Sequence, residues 1–196
     1  MIRHYLHIPI LVVALLSVPI CAKGAADPVV RGVPNFHQVN GNIYRGAQPT
    51  AQGWASLERL GVKTVIDLRR HGEHSIKAEQ QAVEAAGMRY VNVPMSGIVA
   101  PTDETMSRVL ALLQSSGHGP VFVHCRRGMD RTGAVIACYR IAHDGWPNQK
   151  ALEEAKVYGM HWFEVGLKRY VLRFSPPPQI RPAESTPGRA SEAYQK

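Results

Sequence analysis

The chain has 196 residues, 45% of them hydrophobic and 19% charged, a balance that rules out a wholly disordered polypeptide and allows one sizeable core. The formal net charge is +8, which suits anionic partners such as phosphorylated molecules or an acidic membrane surface. No Lys/Arg-rich run alternates with aromatic residues, so nucleic acid is not an expected partner.

Residues 1–26 read as an export signal. Arg3 and His4 give a basic start and Ile8 to Ile20 an apolar run, and Gly24 and Ala26 satisfy the small-x-small rule with cleavage before Asp27. The run is shorter than the roughly 20 residues that cross a bilayer comfortably. The expectation is an exported protein, periplasmic or secreted, with an uncleaved membrane anchor as the alternative. Residues 27–174 then form one domain, and residues 175–196, opening on Pro176-Pro177-Pro178, form a disordered tail.

Within the domain, Val39 to Arg45 predicts a hairpin turning at Asn40-Gly41-Asn42. Pro49 and Thr50 open a helix over about residues 50–60, closed by Gly61. Residues 62–68 are β-branched and mostly apolar, a buried strand. A polar loop leads to a helix over residues 75–86 and a strand from Arg89 to Val93, which Pro94 ends. Pro101-Thr102-Asp103-Glu104 starts a helix reaching about Ser115. Pro120 to His124 is a short apolar strand and Arg131 to His143 a helix, with two further helices near residues 148–159 and 162–173. Strands alternating with helices predict an α/β fold with a parallel or mixed central sheet of four to five strands flanked by helices. Trp146 and the pair Trp162-Phe163 are expected in the core.

The informative stretch is His124-Cys125-Arg126-Arg127-Gly128-Met129-Asp130-Arg131-Thr132-Gly133. It joins a buried strand to a helix, at the carboxyl end of a strand, where open α/β sheets bind ligands. Five residues between Cys125 and Arg131 let the chain curl into a cup whose amides point inward, and the helix start adds its positive dipole end. Arg131 can close the cup with a two-pronged guanidinium on phosphate oxygens. The same field favours the Cys125 thiolate, a nucleophile held under bound phosphorus. Gly128 permits the tight turn, His124 braces the loop, and the Thr132 hydroxyl can reach the sulfur. Cys138, two turns along the helix, lies too far from Cys125 for a disulfide, because seven helical residues span about 10 Å.

This stretch resembles the His-Cys-x5-Arg-Thr/Ser signature of the protein-tyrosine and dual-specificity phosphatase superfamily. Weaker similarity extends upstream to Ile43-Tyr44-Arg45-Gly46-Ala47-Gln48-Pro49 and Val65-Ile66-Asp67-Leu68-Arg69. The resemblance implies a tyrosine-phosphatase-like fold and a two-step reaction without metal or other cofactor. Cys125 attacks phosphorus, Arg131 stabilises the equatorial oxygens, an acid protonates the leaving oxygen, and water hydrolyses phosphocysteine. Arg126, Arg127, Gly128, Met129 and Thr132 complete the phosphate-binding loop.

Many family members place the acid, an aspartate, on a loop some thirty residues before the cysteine. Here Pro94 to Pro101 holds no carboxylate. Asp130, inside the loop, resembles an acid position of myotubularin-type phosphoinositide phosphatases and some secreted bacterial phosphatases, and it is the expected acid. Asp103 is second, with a helix-start role as its alternative. The expected substrate is a phosphorylated protein, with an inositol phosphate or lipid head group as the alternative suggested by Arg126 and Arg127. A sulfurtransferase and a non-catalytic phosphate-binding module are the remaining alternatives. The protein is expected to be a monomer that meets a membrane only through an uncleaved leader.

His71-Gly72-Glu73-His74, with His118 or His124, lacks metal-ligand spacing. It is expected to be a polar loop at the same sheet edge as Cys125, from which His71 or His74 could touch substrate. Asp67 is expected to be a hydrogen-bonding residue at a strand end.

Overall fold

A computed structural model describes residues 30–115 and 119–177. The expectations for the leader, for His118, and for all but the first three residues of the tail lie outside the described residues.

The elements follow the apolar runs. Strands β1 (His37–Asn40) and β2 (Ile43–Gly46) form the hairpin, followed by helix α1 (Ala51–Arg59), β3 (Thr64–Asp67), α2 (Ile76–Ala85) and β4 (Arg89–Asn92). Then come α3 (Asp103–Gln114), β5 (Val121–His124), α4 (Asp130–Asp144), α5 (Asn148–Val157) and α6 (Val165–Arg173). The five strands make one mixed sheet in the order β1-β2-β5-β3-β4. The edge strand β1 runs antiparallel to β2, while β2, β5, β3 and β4 are mutually parallel.

Alternation along the strands separates two apolar layers. Ile43, Ile66, Val121 and Val123 face a core shared with α3, α4, α5 and α6. Tyr44, Val65 and Phe122 face a smaller core shared with α1 and α2. Helix α4 is buried from Arg131 to Tyr139 and again at Ile141 and Ala142.

Register fixes where the site forms. Gly46, His124, Asp67 and Asn92 are successive partners across the four parallel strands. The loops leaving those strands therefore start at one level along one edge, which is how segments far apart in sequence come to share a pocket.

The expectation for Trp162 and Phe163 is corrected. They are 83% and 50% exposed, because α6 starts only at Val165 and the preceding loop runs over the surface. Trp146 packs against the main core as expected, with the Arg140 and Lys150 cations over its ring.

Candidate active site

The loop after β5 is held from behind by the β1–β2 hairpin and the segments that flank it. Gln48 N donates to Arg126 O (3.3 Å), Asn35 Nδ2 to Arg127 O (3.3 Å), and Arg45 Nη2 to Gly128 O (2.8 Å). Within a planar trans peptide the carbonyl and the next amide point in opposite directions. Turning three successive carbonyls back toward the hairpin therefore aims the amides of Arg127, Gly128 and Met129 the other way, toward an anion. Gly128 has φ +71°, and a Cβ there would lie 2.3 Å from Gly46 C and 2.4 Å from Gly46 O. Only glycine fits that backbone contact.

Arg45 is a buried cation in this support. Its guanidinium lies 4.7 Å from the Tyr158 ring, and its Nε and Nη1 have no hydrogen-bond partner. Burial pushes its pKa down to about 10, with Glu154 and then Cys125 opposing that fall. The Ile43–Pro49 stretch thus has a physical role: its arginine, its glycine and one backbone amide brace the cup.

Cys125, Arg126, Arg127, Asp130 and Arg131 line one cavity of about 160 Å³, together with Glu73, Gly97 and Glu164. The structure thus brings the expected nucleophile, clamp and acid together. Met129 is adjacent, packed against Gly159. His124 is fully buried beneath the loop, with Nδ1 3.3 Å from Cys125 O and its ring stacked on Phe122. The expected Thr132 contact is not made: Thr132 Oγ1 is buried without a hydrogen-bond partner. Cys125 and Cys138, the two cysteines among the described residues, are both free.

Two carboxylates in this pocket were not foreseen from the sequence. Glu73 grips Arg131 with both oxygens, Nη1 to Oε1 at 2.7 Å and Nη2 to Oε2 at 2.9 Å. It occupies the Nη1–Nη2 edge of the guanidinium, one of the edges on which a two-pronged oxyanion can bind. The Arg131 hydrogen bonds hold the Glu73 carboxyl below its usual range. Burial works against the Arg131 charge, but Glu73 and then Cys125 more than offset it and raise its pKa. The polar-loop reading of residues 71–74 therefore missed its functional member. The glutamate enters the pocket, while His71 is exposed and His74 turns inward, with Nε2 2.8 Å from Asp67 Oδ2. Glu164 is the second such group; burial, and next the Asp130 charge, push its carboxyl up.

Asp130 is fixed by the loop before α6. Its Oδ1 accepts from His161 N and Nδ1, both at 2.9 Å. Asp103 does not reach this pocket. It sits in the first turn of α3 behind the Thr102 cap, accepts from Tyr170 Oη (2.9 Å), and lines a separate cavity of about 490 Å³ with Arg169, Arg173 and Phe174.

Beneath the site, Asp67, Glu79 and His124 bring their ligand atoms within 4.8 Å of one another, a spacing that a metal ion could use. The Arg69 guanidinium already bonds both carboxylates and supplies the positive charge such a cluster needs. Asp67 is then the strand-end hydrogen-bonding residue expected from the sequence, accepting also from Arg69 N and Tyr90 Oη. Burial would raise its carboxyl, but the Arg69 hydrogen bonds outweigh that and lower it.

Comparison with known proteins places this geometry in a family. Residues 31–169 match the family model described as DSP-PTPase phosphatase fused to NAD+ kinase. The dual specificity protein phosphatase TpbA of Pseudomonas aeruginosa is 37% identical over 131 residues, 66% of this chain and 55% of that protein. The chain thus spans about half the length of that relative. The inositol diphosphatase DSP5 of Arabidopsis thaliana is 29% identical over 146 residues, 69% of this chain and 67% of that protein. Among solved structures, P. aeruginosa TpbA in complex with pTyr superposes with a TM-score of 0.62 at 32% identity, covering 75% of this chain and 86% of that one. The cup after β5, its Arg45 support, its Arg131 clamp and these matches carry one conclusion: the chain belongs to the DSP-PTPase phosphatase family.

Proposed function

We propose that this chain is a phosphomonoester hydrolase of the protein-tyrosine and dual-specificity type, working through phosphocysteine. The observation that carries the reading is the convergence of Cys125 and Arg131 on one small cavity whose loop amides are turned inward. Cys125 Sγ attacks phosphorus as Arg131 exchanges Glu73 for the equatorial oxygens. The cup amides and the α4 N-terminus take up the charge, so positioning and electrostatics carry the step, and turnover continues with chelator present. Asp130 at the cup wall protonates the leaving oxygen, and water then releases phosphate from the sulfur.

A phosphorylated protein is the primary substrate class, supported by the similarity to TpbA. An inositol phosphate is the alternative, supported by the similarity to inositol diphosphatases and by exposed Arg126 and Arg127. Export through residues 1–26 and a monomeric state complete the proposal; the leader's composition supports the first.

The test compares Cys125→Ser, Asp130→Asn and Glu164→Gln on an aryl phosphate and on an alkyl phosphate, whose poorer leaving group depends more on the acid. Cys125→Ser abolishes release of phosphate, and Asp130→Asn costs far more on the alkyl ester than on the aryl ester. Turnover surviving Cys125→Ser overturns the mechanism. A selective alkyl defect in Glu164→Gln alone moves the acid to Glu164, the pocket carboxyl whose pKa burial pushes up.

A further inference from the structure

Two loops border the mouth of the Cys125 pocket. Gly97 lines it from the loop after β4, and Glu164 from the loop before α6. Next to these lie the two most exposed large apolar side chains among the described residues, Ile98 at 85% and Trp162 at 83%. Val99, Phe163 and Val165 extend the patch. The first turn of α6 meets the loop after β4: a Cβ at Gly166 would lie 3.2 Å from Ile98 O and 3.4 Å from Ala100 N. Contiguous apolar exposure of this kind marks an interaction surface.

The shape of the patch indicates its occupant. None of its five side chains lines the Cys125 pocket or the neighbouring cavity at Asp103, whereas a docked peptide uses a groove or a strand edge. The tips are braced. Trp162 meets Phe163 edge to face at 5.8 Å, Phe163 stacks on His161 at 4.9 Å, and Lys168 Nζ donates to Trp162 O. Cations lie beside them, exposed Arg126 and Arg127 at the mouth and Lys168 and exposed Arg169 on α6, while Glu164 stands between Phe163 and Val165 and Asp130 is held by His161. Braced apolar tips beside basic groups match the boundary between lipid head groups and acyl chains, where tryptophan partitions favourably and anionic lipids attract the cations.

We propose that this rim docks on an anionic membrane surface, with Ile98, Val99, Trp162 and Phe163 entering the head-group region. The Cys125 pocket then opens onto a phosphorylated lipid head group, a consequence that rests on the phosphatase reading. The sequence placed membrane contact in the leader alone. The rim is a second contact, made by the folded domain, in which no described helix is long and apolar enough to cross a bilayer.

The test uses the full chain with vesicles of phosphatidylcholine and phosphatidylserine carrying brominated acyl chains, which quench indole fluorescence on insertion. Trp54 is buried and Trp146 packs on the core, so Trp162 is the reporter, and Trp162→Phe identifies its share whatever the leader does. Quenching of the wild type that is mostly lost in Trp162→Phe, and weakened at least tenfold in vesicle concentration by Ile98→Ser with Phe163→Ser, supports the proposal. Equal quenching of wild type and Trp162→Phe, or none in either, overturns it. Absent quenching combined with a selective loss of turnover on a tyrosine-phosphorylated protein in the double variant assigns the rim to a protein partner and likewise overturns it. Quenching persists in Cys125→Ser whatever the reaction, so failure of docking and failure of the phosphatase reading are separate results.

Discussion

A phosphate that takes the Nη1–Nη2 edge of Arg131 must displace Glu73, and the size of that competition can be worked from the pair's geometry. The pair has two charge-assisted hydrogen bonds, at 2.7 and 2.9 Å. Such bonds contribute about 1.5–3 kcal/mol when sheltered, while exposed ion pairs contribute about 0–1 kcal/mol. The Arg131 side chain is 9% exposed and that of Glu73 31%, which places the pair between these limits, near 1–1.4 kcal/mol after solvent screening. Glu73→Gln keeps an acceptor for Arg70 N and removes the charge, so sulfate, an unreactive oxyanion, should bind about five- to tenfold more tightly. The pH dependence has a definite sign. The folded Glu73 carboxyl lies below its ordinary 4.5, so its pairing with Arg131 is complete above that value and is lost as pH falls through the lower folded one. Sulfate remains a dianion there. Its affinity for the wild type should therefore climb on acidification relative to Glu73→Gln, as read by calorimetric titration of both proteins across acid and neutral pH. Affinities within twofold at neutral pH, or parallel pH profiles, would refute the competition.

Gly128→Ala places a methyl 2.3 Å from the Gly46 carbonyl carbon at φ +71°, so the cup must shift. A misplacement near 1 Å at a reacting centre costs about a hundredfold, and that loss of kcat/KM on an aryl phosphate is expected; a wild-type rate refutes the tight backbone contact. Arg45→Met removes the donor to Gly128 O and leaves a buried carbonyl unpaired. A charged hydrogen bond of about 1.5–3 kcal/mol corresponds to roughly a 10- to 150-fold fall in kcat/KM. Retention of full activity in Arg45→Met would show that the hairpin does not shape the cup.

Elements were legible wherever local chemistry decides. The β-branched runs ending at Asp67 and His124 became strands, and the Thr102 cap and the glycines after α1 and α2 marked helix ends to within two residues or so. The cup was legible because Cys125, Gly128 and Arg131 are neighbours in sequence and the geometry they need is local. Glu73 and Arg131 are 58 positions apart, and only the common level of the strand ends brings them together. Nothing in His71-Gly72-Glu73-His74 distinguishes the glutamate from a solvated surface charge. Glu164 escaped notice for the same reason. Trp162 and Phe163 misled because aromatic residues beside a helix usually pack inward, and composition carries no signal for a loop that holds its aromatics outward. Asp103 is the converse: its place after Thr102 already described a helix start, and the structure keeps it there, bonded to Tyr170.

The ionic cluster under the cup bears on why the fold keeps charge where apolar side chains could pack as stably. Asp67 ends β3, Tyr90 lies on β4, Glu79 on α2, His124 ends β5, and His74 comes from the loop that carries Glu73. His124 Nε2 lies 3.0 Å from Glu79 Oε1, and Asn92 Nδ2 donates to the carbonyls of Asp67 and Arg69 at 3.0 Å each. An apolar cluster could slide by a fraction of an ångström at little cost, because burial is not directional. The bonds from Arg69 and Tyr90 to Asp67, and from Asn92 to the two carbonyls, are directional and favour one arrangement. Since each member stands at the root of a loop that reaches the pocket, or braces one that does, the cluster converts the sheet's register into fixed positions for Cys125, Arg131 and Glu73. The Glu73 competition and the cup contacts depend on sub-ångström placement, and this directional layer is what supplies it.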